Sequence, residues 1–191
     1  MIPCDDVAIA EEVIAATRRW LERAVIGLNL CPFAKAVHAR KQIRYAVTAA
    51  QTAGELHEEL TRELQTLAQA DPAKLETTLL IHPRAMTDFI DFHFFVGEAD
   101  AAVRKLGLEG VLQIASFHPQ YEFAGSAPDD IANYTNRSPY PTLHVLREAS
   151  IDRAVAAFPD AAVIFERNIE TLRRLGHEGW RLLLQVEPSK E

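Results

Sequence analysis

The sequence predicts an α/β fold with a small, mainly parallel sheet of three or four strands that is covered by helices. Three short runs rich in apolar and β-branched residues lie at 42–48, 77–83 and 111–119, and two segments with helical periodicity separate them. Alternating strands and helices are typical of βαβ units, in which parallel strands lie side by side beneath the connecting helices. A chain of 191 residues, of which 48% are hydrophobic, fits a single domain over residues 1–191.

The first half of the chain supplies the first helix, strand and crossover. A helix is predicted over residues 6–27, because its apolar side chains recur at three- and four-residue spacing. These are Val13, Ile14, Thr17, Trp20, Leu21, Ala24, Val25 and Leu28. The run QIRYAVT at 42–48 predicts the first strand. Thr52 and Glu55 form a capping-box signature for the next helix, whose apolar stripe consists of Leu56, Leu60, Leu64 and Leu67.

Two further strands and a long loop follow. The run TTLLIHP at 77–83 predicts the second strand, and VLQIASFHP at 111–119 predicts the third. Between them, residues 87–107 are predicted to form a helix with a kink near Gly97. Residues 120–142 contain three prolines and no apolar period, which predicts a long loop of the kind that often carries function.

The C-terminal third predicts two closing helices. One follows Ser150, and the other runs from about Asp160 to Leu175, where Gly176 stops it. The segment WRLLLQV at 180–186 fits either a continuing helix or an edge strand.

Composition excludes several partners. The chain has 20 Lys and Arg against 27 Asp and Glu, for a formal charge of −7, which argues against binding of nucleic acid. No stretch approaches the ~20 apolar residues of a membrane span, so no membrane association is expected. The acidic N-terminus does not match a signal peptide. Two cysteines, Cys4 and Cys31, are too few for a disulfide framework, so we expect reduced thiols in a cytoplasmic protein.

Cys31 is the first candidate for chemistry. It precedes Pro32, a residue suited to the first position of a helix, so Cys31 is predicted to be the N-cap of PFAKAVHAR. The positive end of a helix dipole favours the nucleophilic thiolate. The CPF tripeptide resembles the redox corner of glutaredoxins, but Ala34 stands where the resolving thiol would be, which disfavours a dithiol oxidoreductase. An inert, buried cysteine is the alternative interpretation.

Two histidines end two of the predicted strands. His82 and His118 are each followed by proline, at the carboxyl ends of the second and third strands. Adjacent parallel strands would place both imidazoles at one edge of the sheet, where ligands bind in open α/β folds. Hydrogen bonding of both rings within turns is the alternative.

The region that ends the long loop is dense in groups that bind polar ligands. Arg137 and Arg147 are candidate clamps for a carboxylate or phosphate, because a guanidinium offers two parallel donors. The other predicted substrate-binding residues are Asn29, Tyr121, Asn133, Asn136, Ser138 and His144. A rigid, proline-braced loop without a ligand is the alternative.

Three hypotheses for function follow. The first is a small-molecule enzyme, of hydrolase or transferase type and without a required cofactor, in which Cys31, His82 and His118 are catalytic and the substrate is a small anion. The second is a site for zinc or a similar divalent metal. Its ligands would be His82 and His118 with Cys31 or His144. The third is a non-catalytic binding domain that uses the 120–142 loop and the aromatic helix, and a homo-oligomer is compatible with it.

Three blocks of the sequence carry a resemblance to a known family. WLERAVIGLNLCPFA, SFHPQYEFAG and NYTNRSPYPTLHVLRE resemble the hallmark segments of the bacterial proteins grouped as domain-of-unknown-function family 1415. The resemblance covers nearly the whole chain. It implies a bacterial, single-domain, cytoplasmic protein, and it implies no particular reaction.

Overall fold

A computed structural model describes residues 4–157 and 161–185. Its helices are α1 (Cys4–Trp20), α2 (Ala34–Ala39), α3 (Ala53–Gln69), α4 (Phe89–Lys105), α5 (Glu148–Ala157) and α6 (Ala161–Leu184). Its strands are β1 (Ile43–Val47), β2 (Thr77–Ile81), β3 (Leu112–Phe117) and β4 (Thr142–Arg147). A π-helix (Leu21–Ile26) continues α1, and a 3-10 helix (Ile131–Asn136) lies between β3 and β4.

The α/β class is confirmed, but the prediction of a mainly parallel sheet is wrong. The four strands lie in the order β1-β2-β4-β3. Strands β1 and β2 pair in parallel, whereas β4 pairs antiparallel with both β2 and β3. The chain from 118 to 141 contains only the short 3-10 helix and no crossover helix that would return it to the opposite edge. A strand that starts where β3 ends must therefore run backwards along β3.

The sheet separates two apolar clusters. On one face, α3 and α4 pack on Leu80, Leu112, Leu143 and Val145, and this cluster includes Leu56, Leu60, Leu64 and Leu67 of the predicted stripe. On the other face, Val13 of α1 packs on Leu79 and Ile81, and Trp20 contacts Phe117 at 5.2 Å between ring centroids. Because side chains alternate between the faces of a strand, residues 79 and 80 lie in different clusters.

The helix termini follow the capping signals in part. Thr52 and Glu55 form the predicted capping box of α3, and the Asp88 side chain caps α4 by accepting from the backbone N–H groups of Ile90 and Asp91. Helix α4 continues through Gly97 without interruption. The interruption lies in α6 instead, at Gly176, whose φ of 67° is in the left-handed region that favours glycine.

The C-terminal segment continues as helix. Residues 180–184 belong to α6, so the helical alternative holds there, while residue 186 lies outside the described residues. The predicted start of this helix at Asp160 also lies outside them. No helix in the described part of the chain is long and apolar enough to cross a membrane.

Candidate functional site

His82 and His118 lie at the same edge of the sheet, although their strands are not adjacent. Strands β2 and β3 point in the same direction, with β4 between them. Both imidazoles are fully buried, and the ring of Phe92 on α4 contacts both, at 5.7 Å from His82 and 5.1 Å from His118 between ring centroids. The two histidines therefore face α4.

The ring nitrogens of these histidines hold the loop between β2 and α4. The His82 Nδ1 lies 2.9 Å from the carbonyl oxygen of Ala85, and the His118 Nε2 lies 3.2 Å from that of Met86. The His118 Nδ1 accepts from the backbone N–H of Gln120 at 3.0 Å. A carbonyl oxygen needs an N–H donor, so the nitrogen that faces it is protonated in each ring. His118 is therefore a neutral imidazole with both nitrogens hydrogen-bonded. Of the four ring nitrogens of these two histidines, the His82 Nε2 has no partner among the described residues.

Burial keeps these imidazoles neutral. Burial lowers the pKa of His82 to about 4, although the hydrogen bond to Ala85 opposes this shift. Burial also lowers the pKa of His118, against the hydrogen bonds to the backbone of Met86 and Thr87. The two rings are close enough that protonation of His118 would lower the pKa of His82 further.

Cys31 lies in a different cluster. It is partly buried in the apolar cluster around Trp20 and Trp180. His118 lies on the opposite face of the sheet, against Phe92 of α4. The prediction that Cys31 caps the next helix is wrong, because α2 begins at Ala34 with Phe33 as its N-cap. The backbone N–H of Cys31 instead donates to Val25 at the end of the π-helix.

His144 is also separate from the two buried histidines. It lies on β4 between Leu79 and Ala115, on the face of Phe117, and its Nε2 is 2.7 Å from the Thr77 hydroxyl. Burial of the ring lowers its pKa to about 4, even though one edge of the residue reaches solvent. In the described part of the chain, no three His, Cys, Asp or Glu side chains lie close enough together to hold a metal ion. The zinc ligand set predicted from His82, His118, Cys31 and His144 is not assembled.

Several predicted ligand-binding residues have structural contacts. The buried Arg147 donates through Nη2 to the carbonyl oxygens of Leu67, Ala70 and Leu75, at and beyond the end of α3. Asn133 is fully buried, and its side chain bonds to Phe123, Ser126 and Ala127. Asn136 donates to the Ser116 carbonyl, Asn29 is an exposed turn residue with φ of 55°, and Tyr121 packs on Phe89 and Phe123.

A pocket of about 330 Å³ opens at the edge where β3 ends and β4 begins, on the face of α1 and α6. Helices α1 and α6 supply Ala16, Arg19, Trp180 and Leu184, and the chain between β3 and β4 supplies Pro119, Tyr134, Arg137, Ser138 and Pro139. We call it the Arg19–Arg137 pocket. Of the predicted site residues, it brings together Arg137 and Ser138.

The two arginines of this pocket differ in how they are held. The Arg137 guanidinium donates from Nε to the Tyr121 carbonyl at 3.1 Å and from Nη2 to the Pro128 carbonyl at 2.7 Å, and it stacks 4.3 Å from the centroid of the Tyr134 ring. Arg19 is partly buried and has no hydrogen bond or ion pair with any described residue. The described lining contains no acidic side chain, so no described carboxylate neutralises either cation there.

The walls of the pocket are aromatic and apolar. Trp180 packs edge-on against Tyr134, with 5.4 Å between ring centroids, and Tyr134 in turn contacts His177 of α6. Arg19 and Trp180 were not predicted as site residues. Arg19 resembles any surface arginine near the end of an amphipathic helix, and its half-buried position depends on α6, which is distant in sequence.

This α/β chain belongs to the family described as protein of unknown function (DUF1415), whose model matches residues 12–182. The resemblance predicted from the three sequence blocks is therefore confirmed. No curated protein and no solved structure matches the chain.

Proposed function

We propose that this protein binds a small organic anion in the Arg19–Arg137 pocket. One observation carries the proposal: two guanidiniums line one concave site whose described lining has no carboxylate, in a protein with a formal charge of −7. A cleft with one sign of charge and apolar walls concentrates ligands of the opposite charge. The pocket also has the size and mixed lining that are typical of small-molecule sites.

The held geometry of Arg137 supports binding further. Its two hydrogen bonds and its contact with Tyr134 fix the guanidinium before any ligand arrives. A group that is already ordered loses little side-chain entropy when it binds, so more of its interaction energy contributes to affinity. Ser138 has a different task, because its hydroxyl donates to the Tyr140 carbonyl at 2.6 Å.

The proposal is restricted to binding. The catalytic roles of Cys31, His82 and His118 stay predictions, as do a small-molecule substrate, a bacterial source and a cytoplasmic location. The free thiol of Cys31 is consistent with a reducing compartment.

Binding of benzoate and phenyl phosphate, followed by saturation-transfer NMR and titration, tests the proposal. We expect Arg19→Gln to weaken binding about tenfold or more, because a charged hydrogen bond contributes about 1.5–3 kcal/mol. Arg18→Gln is the matched control, since Arg18 directly precedes Arg19 on α1 and stacks on the Tyr45 ring, which does not line the pocket. Equal affinity in wild type and Arg19→Gln, or no binding of either anion, would contradict the proposal.

A second candidate function, docking of a protein partner, is favoured by an exposed apolar pair on α4. Ile90 and Phe94 lie one turn apart and are 60% and 71% exposed. If this face associates, sedimentation velocity should show a concentration-dependent increase in mass that Phe94→Ser removes. This candidate function would be contradicted if the protein stays monomeric at all concentrations and Phe94→Ser abolishes the binding of no partner protein.

A further inference from the structure

The free side-chain donors of the Arg19–Arg137 pocket, among the described residues, are its two guanidiniums, the Trp180 indole N–H and the Tyr134 hydroxyl. Pro119 and Pro139 have no backbone N–H, and the Ser138 hydroxyl is already donated to Tyr140. Arg137 has used Nε and Nη2, which leaves Nη1 as its nitrogen without a hydrogen bond to the described residues. The charged donors that remain are this amino group and the guanidinium of Arg19.

The described lining of the pocket includes no helix N-terminus, the feature that favours a doubly charged ligand. Leu184 is the last residue of α6, and Arg137 directly follows the 3-10 helix and donates its backbone N–H to Tyr134. Both segments thus present their carboxyl-terminal ends, and at the α6 end the Arg23 guanidinium donates to the carbonyl oxygens of Leu183 and Gln185. Phosphate sites in proteins usually have the opposite arrangement, with a helix N-terminus or a nest of backbone N–H groups.

A carboxylate needs fewer hydrogen-bond donors and less positive charge than a phosphate. A phosphate monoester has three terminal oxygens and a charge of about −1.5 to −2 at neutral pH. A carboxylate has two oxygens in one plane and a single charge, and a guanidinium matches it well. Two guanidiniums, one of them partly used, therefore suit a carboxylate better.

The rest of the pocket requires an apolar body on the ligand. Its volume of about 330 Å³ is much larger than a carboxylate group, and Ala16, Leu184, Trp180 and the two prolines supply apolar wall. Burying apolar surface contributes about 25 cal/mol per Å². A ligand with only a charged head would leave this wall uncovered.

We infer that the ligand class of the Arg19–Arg137 pocket is a monocarboxylate with an apolar or aromatic body, rather than a phosphate ester. This inference rests on the proposed function, because it assumes that the pocket binds an anion. It follows from the two prolines without a backbone N–H, the lack of a helix N-terminus in the described lining and the apolar wall, which are independent features of the same pocket.

Calorimetric titration with three probes of matched body tests the inference: phenylbutyrate, phenylbutyramide and phenylpropyl phosphate. We expect phenylbutyrate to bind at least about tenfold more tightly than either of the other two. Acetate, the head group without the body, should not bind measurably. Arg19→Gln should reduce the preference for phenylbutyrate over its amide, whereas Arg18→Gln should leave that preference unchanged.

The outcomes separate the inference from the proposed function. If phenylpropyl phosphate binds as tightly as phenylbutyrate or more tightly, and Arg19→Gln weakens it, the carboxylate inference is overturned while anion binding stands. If the neutral amide binds as well as both anions, or if none of the three probes binds at about 10 mM, both fail. Thermal unfolding of Arg19→Gln and Arg18→Gln, compared with wild type, verifies that each variant is folded.

Discussion

The two sides of this sheet edge use their polar side chains in opposite ways. On the α4 side, His118 has both ring nitrogens bonded to backbone, and His82 and His118 together hold the loop between β2 and α4. On the α1 and α6 side, Arg19 has no partner among the described residues, and Arg137 is held with one amino group left over. A reactive residue type therefore indicates a site only when its polar atoms are not already hydrogen-bonded to the protein.

The largest expected effect comes from removing His118. His118→Ala deletes two hydrogen bonds and a fully buried ring that packs on Phe92 and Phe89, so the free energy of unfolding should fall by about 4 kcal/mol. Urea denaturation measures it. His93→Ala, on the exposed face of α4, is the control and should change stability by less than about 0.5 kcal/mol. Equal effects in both variants would mean that His118 is not structural.

Acid should destabilise the α4 side. His82 titrates at its ordinary pKa of 6.5 in the unfolded chain but only near about 4 in the folded protein, so the unfolded state binds more protons between these values. The contribution of neutral His82 is therefore complete above pH 6.5 and is lost as the pH falls to about 4, by about 3 kcal/mol in total.

Denaturation at a series of pH values follows this loss. The variant His82→Phe removes one titrating ring and should reduce the slope in this window, while His118 and His144, whose pKa values burial also lowers, keep part of it. An unchanged pH dependence in His82→Phe would show that another group carries the acid sensitivity.

Arg147 differs from Arg19 because it is buried and donates to backbone carbonyl oxygens of the protein. Arg147→Met removes the guanidinium that donates to the carbonyls of Leu67, Ala70 and Leu75, which should cost about 2 kcal/mol of unfolding free energy. Arg62→Met, at an exposed ion pair on α3, should cost less than about 0.5 kcal/mol. Arg19→Gln should resemble Arg62→Met in stability. A loss near 2 kcal/mol for Arg19→Gln would contradict its assignment to a ligand.

Two glycines give the smallest and oppositely signed effects. Gly176→Ala should lose about 1 kcal/mol, because φ at this position is 67° and alanine is strained there although its Cβ would meet no atom within 4 Å. Gly97→Ala, inside α4 and equally unhindered, should gain about 0.5–1 kcal/mol. Thermal denaturation of both variants measures the difference. The same sign for both would contradict the break in α6.

Local patterns predicted the fold where they were sufficient. The capping box at Thr52 and Glu55 and the runs of β1, β2 and β3 depend on neighbouring residues, and the structure has all of them. Strand β4 was not predicted, because residues 142–147 follow a proline-rich segment and their apolar alternation is short. Its direction depends on where the loop leaves β3, which no local pattern encodes.

The candidate site was predicted only in part. Arg137 and Ser138 lie in the polar-rich segment that the sequence singled out, and both line the pocket. Arg19 and Trp180 enter it because α6 packs on the π-helix that continues α1 and on the 3-10 helix, and this juxtaposition is a property of the tertiary fold. His82 and His118, each followed by proline, were the stronger prediction of a site from local sequence. Both are buried, and three of their four ring nitrogens are hydrogen-bonded to backbone.

An NMR titration with phenylbutyrate tests the contrast between the two sides most directly, because the side-chain signals of both sides are observed at once. We predict that the indole N–H of Trp180, assigned with Trp180→Phe, shifts on addition of the anion. The signals of the Trp20 indole and of the His82 and His118 imidazoles should not shift. Shifts confined to the two imidazoles, with Trp180 unchanged, would contradict the account.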